Sequence, residues 1–284
     1  MKHFFKKLKY TPFEIADALV LDFINFYELV SFYTFKILGK YKFLKRNIIL
    51  KNIHQNKRIF LLGNAPSLNS FDLKKLNNEI VVMVNRSFMH DDYGKIKPKY
   101  HIIVDSKLAT GEWPISYIDI ILSKNPDVNL LLNSKWFYMD KFKKYQKCKN
   151  IFWIKSKSIS LLFDNLNNDL ASIFSSGAVV EQGLSLAAYL GSKKIYIMGV
   201  ELNGIIYLMN NKESHFNGKD PDYEMSNSWD WARAMNCNSR GIRLFYRINE
   251  LCNKNKIELI NLSNTGLLDF IPKENFETIL NSNK

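Results

Sequence analysis

Cysteine is nearly absent: only Cys148, Cys237 and Cys252 occur, widely separated and odd in number. They offer neither a disulfide framework nor metal-ligand spacing, and a reducing cytoplasm suits them best. The strict glycine patterns of dinucleotide folds and P-loops are also missing, so neither standard phosphate cradle can be assumed. Uninterrupted apolar runs are missing too. The longest candidate, Leu19 to Leu38, carries Asp22, Glu28 and Lys36, and charges at the centre of a span are costly. No small-residue cleavage site follows it, which argues against a secretory signal. With no internal repeat or low-complexity tract, the chain reads as one large domain, or one domain with an appendage.

What the chain does have is positive charge and aromatic mass. The formal net charge is +13, and Phe and Tyr number 20 and 14. A basic balance attracts anions: lipid headgroups, nucleic acid or a phosphorylated substrate. No nucleic-acid motif occurs and the aromatics fall mainly in expected core elements, so nucleic acid is not the expected partner. Residues 1–56 read as a helical segment, with Met1 to Lys9 rich in Lys and Phe. Within it Ile15, Leu19, Phe23, Phe26, Val30, Tyr33 and Ile37 recur at helical spacing, and Lys40, Lys42, Lys45 and Arg46 follow. Two readings stand: an amphipathic helix on an anionic membrane, or a helix packed on the domain or a partner subunit. The first makes the protein cytoplasmic, peripheral on the inner face of the cytoplasmic membrane.

From Lys57 onward, short apolar runs alternate with helical stretches. Strands are expected at Ile59–Leu62, Ile80–Val84, Tyr100–Val104, Val128–Leu132, Ile151–Trp153, Lys194–Met198 and Glu258–Leu262, with helices at Ala178–Leu190 and Ile242–Asn253. Gly191 closes the first of these helices. This order implies an α/β fold over residues 57–284: a mostly parallel, doubly wound, Rossmann-like sheet with helices on both faces, plus the N-terminal helical appendage.

Such sheets bind ligands at the carboxyl ends of their strands. Asn64, Asn85, Asp105 and Glu201 each sit just past an expected strand end. Taken singly, each is ordinary turn chemistry; together they mark one edge. After the first strand, Gly63-Asn64-Ala65-Pro66-Ser67 reads as a turn into a helix N-terminus with Ser67 as N-cap, where amides and dipole favour phosphate. Ser175-Ser176-Gly177 opens the central apolar helix, either as a cap or as a ligand contact. Trp229 and Trp231, with Arg233, read as a lid or acceptor surface, or as core aromatics at strand spacing. His215 lies in the polar run Lys212–Lys219, where a histidine is either solvated or a proton acceptor.

Gly63-Asn64-Ala65-Pro66-Ser67-Leu68, Asn85, Ser175-Ser176-Gly177, the block Tyr189-Leu190-Gly191 through Gly199-Val200-Glu201, and Ser214-His215-Phe216 resemble the bacterial sialyltransferases of glycosyltransferase family forty-two. The likeness covers most of Lys57 to Leu262. It implies a metal-free enzyme with no cofactor. It would move a nonulosonic acid, sialic acid or a relative such as Kdo, from a CMP-activated donor to a glycan or glycolipid acceptor of a surface lipooligosaccharide. Gly63, Asn64, Ala65, Asn85, Asp105, Ser175, Ser176, Gly177 and Glu201 would hold the nucleotide, His215 would be the general base, and Tyr207 would contact the leaving phosphate. The chain departs from the family in having Asp105 for an Asn, no Arg before Ser175, one such tyrosine, and its basic apolar segment at the N-terminal side. A non-catalytic nucleotide- or glycan-binding module remains open, as does the oligomeric state.

Overall fold

The computed structural model describes residues 11–159, 169–218 and 225–281. Their strands are β1 Arg58–Leu62, β2 Ile80–Val84, β3 Tyr100–Ile103, β4 Asn129–Asn133, β5 Ile151–Ser158, β6 Ile173–Ser176, β7 Lys194–Met198 and β8 Glu258–Asn261. The helices are α1 Pro12–Ile37, α2 Tyr93–Ile96, α3 Ser106–Thr110, α4 Ser116–Lys124, α5 Val179–Tyr189, α6 Gly204–Met209, α7 Ser228–Lys254 and α8 Phe276–Asn281.

The strands form one sheet in the order β6-β5-β4-β3-β2-β1-β7-β8, every pairing parallel. Parallel sheets are covered on both faces, which is why these strands read as continuous apolar runs. In β1, Ile59 and Leu61 enter one core with Leu184, Leu186 and Ala187 of α5 and Phe245 and Leu251 of α7. Phe60 and Leu62 enter the opposite core with Leu68, Phe88, Ile118 and Phe276. The chain builds outward from β1 to β6, crosses back to β7, and ends at β8. The order therefore reverses between β1 and β7, the place where open α/β sheets hold ligands.

Three features differ from the sequence reading. Ser175 and Ser176 lie in β6, paired with Lys157 and Ser158, and Ala178, which has no side-chain cap, is the N-cap of α5. Lysines and serines on both partners hid this strand pair. The last long helix starts at Ser228, well before Ile242, because Asn227 accepts from the amides of Trp229 and Asp230 and nucleates a polar first half. Trp229 and Trp231 are accordingly helical, not at strand spacing. After β1 the chain makes a short 3-10 turn, Pro66–Ser70, in place of an α-helix, and Ser67 is not its cap.

The N-terminal segment lies against β5. Pro12 and the Thr11/Glu14 capping box start α1. Asn25 donates to Ser158 O at 2.8 Å, and Glu28 pairs with buried Lys155 and with Lys135. In the 3-10 stretch Lys42–Leu50, Asn47 donates to Trp153 O at 2.8 Å and Leu170 O at 2.6 Å. Phe32, Leu44 and Leu50 are buried in the two cores of the sheet domain.

Candidate functional site

A cleft of about 400 Å³ opens at the switch point. Its walls come from the loops after β1 (Asn64, Ala65), β2 (Asn85) and β7 (Gly199, Val200, Glu201). The start of α5, Ser214 and His215, and the faces of α6 and α7 complete it. The closeness of the β1 and β7 ends depends on glycine. A Cβ on Gly63 would stand 2.3 Å from Gly199 O, and Gly199 has φ +62°.

The loop after β1 differs from the expected helix N-terminus. Three of its amides are engaged within the protein: Gly63 N–H donates to Met198 O at 2.8 Å, Ala65 N–H to Gly199 O at 3.0 Å, and Ser67 N–H to Glu201 Oε1 at 3.1 Å. With a 3-10 turn and no α-helix following, no helix dipole is aimed at an anion there. The free helix N-terminus at the cleft belongs to α5, whose Val179 and Val180 line it.

Asn85 sits in the left-handed region, φ +45°, and a buried chain fixes it there. Its carbonyl accepts from His101 Nε2 at 2.8 Å, while His101 Nδ1 faces Tyr93 OH at 3.1 Å. Burial pushes His101 down to about 4, with the bond to Asn85 opposing, so the ring is neutral at pH 7. A neutral ring bonded in this way donates through Nε2 and accepts from Tyr93 through Nδ1. The side-chain oxygens of Asn85 and Asn64 are buried without a protein partner.

Glu181 is the residue that sequence reasoning passed over. It is 2% exposed on the first turn of α5, packed 3.2 Å from where a Gly177 Cβ would stand. Its carboxylate accepts from its own amide and that of Ala178, half of a capping box. Burial outweighs these bonds and pushes it up to about 7. Oε2 has no protein partner, and the residue lines the cleft. The available signal was a lone acid inside the apolar run Ala178–Leu190.

His215 lines the cleft beside Asn64. Its Nδ1 is 3.3 Å from Asn64 O, and Phe216 N–H donates to that same oxygen at 2.9 Å. Glu201 is 2% exposed and accepts from Ser67 N–H and, at 2.9 Å, from Tyr207 OH. Tyr207 is therefore tied to Glu201 and does not line the cleft. Burial raises its pKa above the ordinary tyrosine value. Of the remaining expected residues, Gly63, Ser175, Ser176 and Gly177 do not line the cleft. Asp105 stands apart as the N-cap of α3, accepting from Lys107 N–H at 3.1 Å. The structure thus brings together Asn64, Ala65, Asn85, Glu201 and His215.

Among the described residues no three His, Cys, Asp or Glu side chains converge as a metal site. Asp220-Pro221-Asp222, shortly after His215, is an Asp-x-Asp pair that the sequence reading overlooked; with Lys219 it lies outside the described residues.

Fold and cleft together define an open, doubly wound α/β protein with a largely apolar cleft at its switch point, where side-chain oxygens of Asn64, Asn85 and Glu181 have no protein partner. The family model described as 6-hydroxymethylpterin diphosphokinase MptE-like matches residues 35–204, more than half of the chain. The chain belongs to this MptE-like family, a different one from the sialyltransferases its motifs resemble. No curated protein matches the sequence. Among solved structures it is similar to the sialyltransferase CstII from Campylobacter jejuni in complex with cytidine-5'-monophosphate. That match has 18% identity over 77% of this chain and 85% of the other, with TM-score 0.43. A CstII complex with CMP-3FNeuAc matches at 16% identity over 76% and 84%, with TM-score 0.40.

Proposed function

We propose that the protein is a metal-independent glycosyltransferase. It moves a nonulosonic acid, sialic acid or a relative such as Kdo, from its CMP-activated donor to a hydroxyl of a surface glycan. The observation that carries this reading is one cleft lined by two complementary kinds of group. The unpartnered oxygens of Asn64, Asn85 and Glu181 offer acceptors to a base bearing an exocyclic amino group. Of the two pyrimidines, cytosine has such a group and uracil does not. His215, beside Asn64, is placed to take a proton from an acceptor hydroxyl. Positioned base catalysis of this kind is worth ~10²–10⁴-fold.

The leaving phosphate is met by the α5 amides of Val179 and Val180, which have no intrahelical acceptors. Tyr207 reaches it only by exchanging its bond to Glu201. The test has two parts. CMP stabilises the protein in a thermal-shift assay while UDP and GDP do not. His215→Ala still binds CMP and loses turnover. Equal shifts with UDP remove the donor assignment; a variant that binds CMP in a protein with no transfer activity supports a binding module.

A second reading takes its support from Glu181 and the family's name. A pterin also carries an amino group beside a ring N–H, and a buried carboxylate suits that edge. His215 would then take the proton of the hydroxymethyl oxygen as that oxygen attacks the β-phosphorus of a nucleoside triphosphate, with the nucleoside monophosphate leaving. A thermal shift with 6-hydroxymethylpterin and none with CMP selects it.

A further inference from the structure

The outward face of α1 is largely apolar, with Thr34 on it and Asp22 at its flank. At about 100° per residue, Leu19, Phe23, Phe26, Tyr27, Val30 and Ile37 share one half of the cylinder. All six are exposed, Phe23 by 74%, Tyr27 by 71% and Ile37 by 86%. The polar groups that bind the protein point the other way: Asn25 and Glu28 bind β5 and its surroundings, and Glu14 pairs with Arg243 of α7 at 3.0 Å. The helix is held to the protein through Asn25 and Glu28 together with the buried Ala18 and Phe32, and its aromatic outer edge is left uncovered. A patch this long is not ordinary surface.

Charge decides what covers it. From Leu29 to Phe71 the chain has no Asp or Glu. Lys36, Lys40, Lys42, Lys45 and Lys51 are exposed in that stretch, with Ile48 and Ile49 exposed among them. Cations beside aliphatic side chains match the boundary between anionic headgroups and acyl chains. A second copy of this chain across a two-fold axis would set these lysines against themselves. Among the described residues no helix is long and apolar enough to cross a membrane, so α1 lies in the plane of the interface.

We propose that the outward face of α1, with the lysines from Lys36 to Lys51, is a docking surface for an anionic lipid bilayer. The docking does not depend on what the cleft transforms. It does set the cleft's orientation. The same half of α7 that carries cleft residues Ala234, Cys237, Asn238 and Gly241 turns Asn236, Arg240 and Arg243 toward α1. α7 and α1 therefore lie between the cleft and the bound bilayer.

The test uses the full chain and sedimentation with vesicles of phosphatidylcholine, alone or mixed with phosphatidylglycerol. The chain binds the mixed vesicles at least ~10-fold more tightly, and raised salt weakens that binding. Replacing Lys40, Lys42 and Lys45 by Gln weakens it by about fivefold per lysine. Phe23→Asp with Tyr27→Asp abolishes it while leaving thermal unfolding and ligand-induced shifts intact, since both side chains are exposed. Phe23→Trp adds fluorescence quenched by brominated acyl chains. Failure to bind mixed vesicles, binding unchanged by the paired Asp substitutions, or an unquenched Trp overturns the proposal. So does a concentration-dependent dimer abolished by those substitutions in a protein that ignores vesicles.

Discussion

Replacing Glu181 by Gln tests whether a carboxyl is held in the cleft at a thermodynamic cost. The folded state raises this group from 4.5 to about 7 by burying it. The folded protein thus holds the proton more tightly than the unfolded chain. Its stabilising effect is full below the unfolded value and is lost as pH rises through about 7. Between about pH 5 and about pH 8 the loss is on the order of 2–3 kcal/mol, by linkage at about 1.4 kcal/mol per unit. Glutamine does not titrate, and its side-chain oxygen still accepts from Ala178 N–H. Urea unfolding of both proteins across that range is the assay. Other titrating groups cancel in the difference. The variant gains on the parent by roughly 2–3 kcal/mol from the acidic to the basic end, and is the more stable protein at about pH 8. Parallel curves for the two proteins refute the buried carboxyl. A stabilising substitution at a cleft residue is also the signature of a group kept for binding.

Other outcomes follow from the same geometry. His215→Ala lowers kcat by at least ~10² in a steady-state transfer assay, with CMP affinity within a few-fold. His101→Leu removes the donor to Asn85 O and leaves Tyr93 OH without its partner. It costs about 1–3 kcal/mol in urea unfolding and weakens CMP binding in calorimetry. Gly63→Ala drives a Cβ onto Gly199 O and destabilises by about 3 kcal/mol or more, read in the same way. Turnover is unchanged by EDTA; a loss restored by Mg²⁺ assigns a metal to Asp220 and Asp222 instead.

Much of the fold was legible because a parallel sheet buries both faces of each strand. The runs Ile59–Leu62, Ile80–Val84 and Lys194–Met198 could hardly be anything else, and their order points to the β1/β7 edge. The edge pair β5–β6 was less visible, since Lys155, Lys157, Ser175 and Ser176 interrupt the apolar pattern. Strand ends located Asn64, Asn85 and Glu201 at the cleft, because position along the chain sets position along the edge. They could not separate Asp105, which sits at an equivalent strand end but caps α3. Nor could they find Glu181 and His101, whose roles come from burial across elements far apart in sequence. For α1, the period gave the stripe but not its direction. Only the bonds of Asn25 and Glu28 to the sheet domain show which side is turned out.

The most direct test of the cleft's assignment is calorimetric titration of the full chain and Glu181→Gln with CMP and UMP. In the parent, cytosine's amino group meets the unpartnered Oε2 and CMP binds at least ~10-fold more tightly than UMP. In the variant, an amide NH₂ facing the base repels that amino group and donates to uracil's carbonyl oxygen, so the preference shrinks or reverses. Equal affinities for CMP and UMP in the parent, or a CMP preference untouched by Glu181→Gln, contradict the account.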